Sequence, residues 1–150
     1  LIINNFVDVA EYVGADGVHL GQLDTPVLEA RARLGNRAII GLSIETMRQA
    51  ELAQNLPIDY LGVSTVYASR IKPHDSHWGE EGLAGLRANT DQCLVGIGGI
   101  KHHNVDRVIS AGADGAAVVS AIYAAEDPRR AAQDMRTKIE QAKIALAAGV

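Results

Sequence analysis

The stretch GADGVHLGQLD, Gly14 to Asp24, decides the fold, because its opening returns almost unchanged as GADGAAVVSAI at Gly112–Ile122. In each, a glycine stops a helix, a short turn follows, and an apolar run begins. A helix that ends into a strand, twice at such a separation, is the signature of a repeated βα unit. The two copies differ at their far ends. The first run closes on Gln22 and Asp24, the second on Val119 and Ser120. A buried strand that ends by presenting an amide and a carboxylate, or a hydroxyl, points to chemistry at one end of the sheet.

Working outward, β-rich runs fall at 1–4, 16–20, 38–42, 60–66, 93–97 and 115–119, each bounded by Gly, Asp or Pro. Each is near-continuously apolar, as expected of parallel strands buried on both faces. Helical patterns lie between them. TPVLEARARLG carries Thr25 as N-cap, Pro26 at the first helical position and Gly35 past the end. ETMRQAELAQN sets Met47, Ala50, Leu52 and Ala53 along one side, and HHNVDRVISAG sets Val105, Val108 and Ile109 on one face. The longest helix, DPRRAAQDMRTKIEQAKIALAAG, opens on Asp127 as cap with Pro128 first. The fold class is therefore α/β, with parallel strands and right-handed crossovers. An open dinucleotide-binding sheet puts its glycine-rich turn after the first strand. Here that turn, GIGGI at 96–100, follows the fifth run. A TIM (β/α)8 barrel instead carries a phosphate site after its seventh and eighth strands. With 93–97 and 115–119 in those places, residues 1–150 form one domain that supplies roughly the last six βα units. The abrupt apolar opening LIINN agrees with a barrel whose first two units are absent from this chain.

Composition narrows the partners. A formal net charge of −4 excludes a generic basic nucleic-acid surface. No apolar run is long enough to span a membrane, and the single cysteine, Cys93, is expected in the core of a cytoplasmic protein.

Three groups of residues could carry chemistry. Gly98 and Gly99 let the backbone approach an anion, a helix opens near Lys101–Asn104, and Ser120 offers a hydroxyl one βα unit later. Alone, Gly-Gly reads as a tight turn; with VVSAI it reads as a phosphate seat. Asn4 and Asn5 end the first run and Asp24 lies past the next, so a carboxylate and amide oxygens at neighbouring strand ends suit Mg²⁺. Alone, Asp24 reads as an N-cap. The loop YASRIKPHDSHWG after the fourth run brings Ser69, Arg70 and Lys72, a hydroxyl and positive charge for an anionic substrate. Its histidines match no standard zinc spacing. Ser43 stands after its strand without a partnered base, and His19 reads as a satisfied core histidine.

In order, LIINN, GADGVHLGQLD, IIGLS, DYLGVSTVYASRIK, VGIGGI and GADGAAVVSAI resemble the thiamine-phosphate synthase family across the whole chain. The resemblance implies a TIM barrel, Mg²⁺, and transfer of an aminopyrimidine methyl group from its diphosphate to a thiazole phosphate, releasing pyrophosphate. No protein nucleophile is implied. Asp24 and Asn5 would sit at the metal, Asn4 beside the diphosphate, and Ser43 near the pyrimidine or diphosphate. Lys72 and Ser69 would hold pyrophosphate and thiazole, and Gly99, Val119 and Ser120 the thiazole phosphate. The partners implied are these small molecules, with a homo-oligomer possible and neither nucleic acid nor membrane. Asn5 replaces an aspartate of the family pattern, which implies weaker Mg²⁺ binding, and Ile71 replaces a threonine. Glu45 replaces the histidine used by the sister thiazole tautomerases, which argues against that alternative. A thiazole-phosphate-binding remnant without turnover is the other alternative.

Overall fold

The computed structural model describes residues 1–68 and 77–149. Its strands follow one another in chain order, β1-β2-β3-β4-β5-β6. The chain packs as two compact units, Leu1–Gly62 and Val63–Val150. The first contains β1 (Ile2–Asn4), α1 (Val7–Val13), β2 (Gly17–Leu20), α2 (Val27–Leu34), β3 (Ile39–Ile44) and α3 (Met47–Ala53). The division falls within β4 (Tyr60–Ser64). The second contains α4 (Gly79–Arg87), β5 (Leu94–Ile97), α5 (Val105–Ser110), β6 (Gly115–Ala117), α6 (Ser120–Tyr123) and α7 (Pro128–Ala147). Among the described residues no helix is long and apolar enough to cross a membrane.

Both GADG stretches do what their glycines predict. Gly14 stops α1 at φ 63°, returning its N–H to the carbonyls of Ala10 and Glu11. Gly112 takes φ 105° after α5, and a Cβ there would lie 2.5 Å from the Arg87 side chain. Asp127 caps α7 by accepting from the Arg130 N–H at 3.0 Å, with Pro128 in the first turn.

Aspartates placed immediately before strands fasten the starts of the preceding strands. Asp114, immediately before β6, accepts the Leu94 N–H at the start of β5 at 2.8 Å and pairs with Arg87 at 3.1 Å. In the first unit Asp59, immediately before β4, accepts the Ile40 N–H at 2.7 Å and pairs with Arg31 at 2.9 Å. Each arginine also holds loop carbonyls: Arg31 those of Pro57 and Ala38, Arg87 those of Thr90 and Gln92. The same clip therefore recurs at the N-terminal ends of the strands.

In the first unit β1, β2 and β3 pair in parallel, with Ile3 opposite Val18, Val18 opposite Ile40 and Leu20 opposite Leu42. Val18, Leu20, Ile40 and Ile44 are fully buried. The opposite face is different in kind. The register sets Asn4 beside His19 and His19 beside Gly41, with Ser43 two residues further along β3. The expectation of strands apolar on both faces is thus corrected: one face is apolar and the other polar. In the second unit β5 and β6 pair in parallel, Ile97 opposite Ala117.

Other local expectations shift. β3 runs to Ile44, so Ser43 lies within the strand, whereas β6 stops at Ala117 and leaves Val119 and Ser120 beyond it. Pro26, not Thr25, is the N-cap of α2, without a side-chain cap. Helix α5 begins at Val105 with Asn104 as its N-cap, at the far end of the expected 101–104 opening. Leu52 and Met47 are exposed, and only Ala50 and Ala53 of α3 are buried. Cys93 is exposed, because it precedes the first buried residue of β5.

Candidate functional site

The glycine turn after β5 is built by close packing. Gly98 and Gly99 have φ 95° and 64°, the left-handed region that favours glycine. A Cβ on Gly98 would lie 2.2 Å from Thr65 Cγ2, and one on Gly99 would lie 2.6 Å from Tyr67 Cβ. The Val66 N–H donates to the Ile97 carbonyl at 2.8 Å and the Tyr67 N–H to that of Gly98 at 3.2 Å. The Trp78 indole N–H donates to the Ser64 carbonyl at 3.2 Å, which anchors the start of α4.

Beyond the glycines, Asn104 closes a local turn. Its side chain accepts from the Lys101 N–H at 2.7 Å and donates to the Gly99 carbonyl at 3.2 Å. That turn sends the Lys101 side chain across to the next βα unit, where Nζ lies 2.5 Å from Ser120 Oγ. Lys101 and Ser120 are both half-buried. Among the described residues Lys101 makes no ion pair with a carboxylate. Ser120 is therefore joined, through Lys101, to the turn that Asn104 ties to Gly99, and the structure adds a cation to the expected set. The sequence signal for Lys101 was only its position directly after GIGGI. Val119, the N-cap of α6, is 68 % exposed and makes no side-chain cap bond. With α6 four residues long and α5 six, positive charge at this turn comes from Lys101 rather than from a helix end.

The polar face of the first unit carries the other candidates. His19 is half-buried; its Nδ1 lies 2.8 Å from Tyr60 Oη and its Nε2 2.8 Å from Ser43 Oγ. The expected satisfied histidine is found, and the Ser43 hydroxyl, read as standing without a partnered base, is one of its two hydrogen-bond partners. Gln22 donates to the Ser43 carbonyl at 2.6 Å. Asp24 is half-buried and folds back on its own turn, Oδ2 accepting from the Gly21 N–H at 2.6 Å. Asn5 takes φ 68°, a conformation asparagine tolerates, and its N–H donates to the His19 carbonyl at 2.8 Å. Asn4, Asn5 and Asp24 thus belong to the C-terminal ends of neighbouring strands, β1 and β2. Their donors are oxygens, with one carboxylate among them. Such a set suits a hard divalent cation that keeps most of its water. Among the described residues no three His, Cys, Asp or Glu side chains gather as a metal site. Ser69, Arg70 and Lys72 lie outside the described residues.

Near the glycine turn, Tyr67 donates its phenol to Glu80 at 2.9 Å. Burial first, then this bond and the Glu80 charge, push the Tyr67 phenol up to about 12.

A βα repeat of parallel strands, with candidate site residues in their last residues or just beyond them, defines an α/β barrel of the TIM class, and the chain fits its last six units. The family model described as thiamine monophosphate synthase matches residues 1–122, and the chain belongs to that family. It is 48% identical over 141 residues to the thiamine-phosphate synthase of Albidiferax ferrireducens, covering 93% of this chain and 64% of the relative. It is 47% identical over 134 residues to that of Vibrio campbellii, covering 89% and 66%. The solved thiamine phosphate pyrophosphorylase from Pyrococcus furiosus superposes with a TM-score of 0.84 at 35% identity, over 94% of this chain and 67% of that one. The chain spans about two thirds of the length of the curated relatives it matches.

Proposed function

We propose that the protein acts in thiamine biosynthesis, transferring an aminopyrimidine methyl group from its diphosphate to a thiazole phosphate. The observation that carries this reading is the Lys101 ammonium 2.5 Å from Ser120 Oγ beside the Gly98–Gly99 turn. A phosphate monoester there would meet a cation, a hydroxyl and the backbone amides of the turn. In the reaction, the bond between the pyrimidine methylene carbon and the diphosphate oxygen breaks, its electron pair leaving with pyrophosphate. The thiazole nitrogen lone pair forms the new bond to carbon. Nothing in this exchange requires a protein nucleophile. Lys101 and Ser120 hold the thiazole by its phosphate and so fix where its nitrogen lies. Ser43 and Asn4 serve the diphosphate from the polar face of β1–β3, with Ser69 and Lys72 assigned to it from the loop after β4. Asp24 and Asn5 would hold Mg²⁺, whose chemistry is to neutralise the leaving diphosphate.

The test is calorimetric titration with the thiazole phosphate and with the same thiazole alcohol lacking phosphate, followed by an assay for thiamine phosphate and pyrophosphate. Binding of the phosphate ester alone, with product formed when the diphosphate is added, supports the reading. Equal binding of ester and alcohol would overturn the phosphate seat. Binding without turnover is the second reading, favoured by a metal set that holds a single carboxylate, and product formation excludes it.

A further inference from the structure

His19 joins two hydroxyls that lie far apart in sequence. Tyr60 Oη is 2.8 Å from Nδ1 and Ser43 Oγ is 2.8 Å from Nε2. A neutral imidazole has one N–H and one lone pair, so one hydroxyl donates to it and the other accepts from it. A phenol, with a pKa of about 10, is a stronger acid than an aliphatic alcohol and takes the donor place. Tyr60 then donates to Nδ1, and the Nε2–H donates to Ser43. The proton of Ser43 is turned away from the ring.

The packing holds this arrangement. The Tyr60 ring stacks on His19 with centroids 5.4 Å apart and planes 29° apart. Gly41, opposite His19 in the register, leaves room for Tyr60: a Cβ there would sit 2.1 Å from the Tyr60 ring carbon Cζ. Gln22 fixes the Ser43 main chain through its carbonyl.

We propose that Tyr60, through His19, sets Ser43 as a hydrogen-bond donor to an anionic ligand on this face, making Tyr60 and His19 positioning residues. The ligand's identity as the diphosphate rests on the function proposed above; the polarity of the relay does not. A donor aimed at a leaving group gains strength as negative charge builds there.

Long-range ¹H–¹⁵N correlation spectra of the ¹⁵N-labelled chain at about pH 8, where an ordinary histidine is neutral, read the tautomer directly. His19→Gln identifies the His19 signals. The expected wild-type tautomer carries its proton on Nε2. Tyr60→Phe should shift the population toward Nδ1–H, whereas Ser43→Ala should leave Nε2–H in place. Affinity for inorganic pyrophosphate should fall by about tenfold in Tyr60→Phe and in Ser43→Ala, as for one charge-assisted bond, and no further in the double variant. An Nδ1–H tautomer in the wild type overturns the proposal even if Tyr60→Phe fails to fold. So does a tautomer unmoved by Tyr60→Phe. Wild-type chain that binds no pyrophosphate but shows the expected tautomers refutes the diphosphate assignment and sustains the relay.

Discussion

Lys101 is the residue on which the phosphate reading turns. Its ammonium has Ser120 as partner and, among the described residues, no carboxylate. A half-buried cation without a counter-ion is compensated when an anion arrives. Lys101→Met should therefore weaken thiazole-phosphate binding by about tenfold or more, since a bond to a charged group contributes about 1.5–3 kcal/mol. Lys101→Arg should recover most of it, and calorimetry on the three proteins decides. Tyr67 gives a second measurable consequence. Its phenol titrates near 12 in the folded chain, above the ordinary 10, chiefly because burial disfavours the phenolate. Between those values the folded state holds a proton that the unfolded state has lost, so stability is intact below pH 10 and falls as pH rises toward 12. Ultraviolet titration should show this late phenol, and Glu80→Ala should lower its pKa by removing the acceptor and its charge. The sequence made Ser120 and Gly99 legible, because a hydroxyl and a glycine at strand ends carry their own meaning. Lys101 was not legible as a cation at Ser120. The two lie 19 residues apart, and only the Asn104 turn, which aims the side chain across, joins them.

At the scale of elements, the GADG repeat was readable because glycine's φ freedom and the helix-to-strand change are local facts. What an aspartate immediately before a strand does was not readable, since its partner is the preceding strand. Asp114 serves β5 and Asp59 serves β4's neighbour β3, each through a strand-opening N–H and an arginine. Asp59→Ala and Asp114→Ala should each cost about 1–2 kcal/mol in urea unfolding, because a strand-opening N–H loses its acceptor and an arginine its partner. Aspartate to asparagine should cost less, its carbonyl oxygen still accepting. These clips sit opposite the strand ends that carry the site, so ligand affinity should stay within about twofold, a difference of less than 0.5 kcal/mol. The polar face of β1–β3 escaped the sequence for a related reason. HLG and GLS look apolar as runs, and only parallel pairing puts His19 beside Gly41 and within reach of Ser43.

At the scale of the whole molecule, the fold class was legible because the βα alternation persists from end to end, and family membership confirms it. The proposed chemistry divides between two anions with different needs. The thiazole phosphate would be held by backbone amides and by Lys101 and Ser120, whose Nζ and Oγ lie 2.5 Å apart, a set with no metal oxygen donor of its own beyond a hydroxyl. The diphosphate is assigned to a rim where Asp24 and Asn5 would hold the metal and Asn4 would meet the diphosphate itself. Removing divalent cations with a chelator should thus leave thiazole-phosphate affinity within about twofold, while Mg²⁺-dependent pyrophosphate binding disappears. Asn5→Asp restores a second negative charge to that rim and should tighten Mg²⁺ binding by about tenfold, the scale of one added charge-assisted contact. Pyrophosphate titrations at graded Mg²⁺ concentrations, run on both proteins, measure this. An Asn5→Asp chain with unchanged Mg²⁺ dependence would place the metal elsewhere than Asp24 and Asn5, and loss of thiazole-phosphate binding on chelation would show that the two anions share one metal.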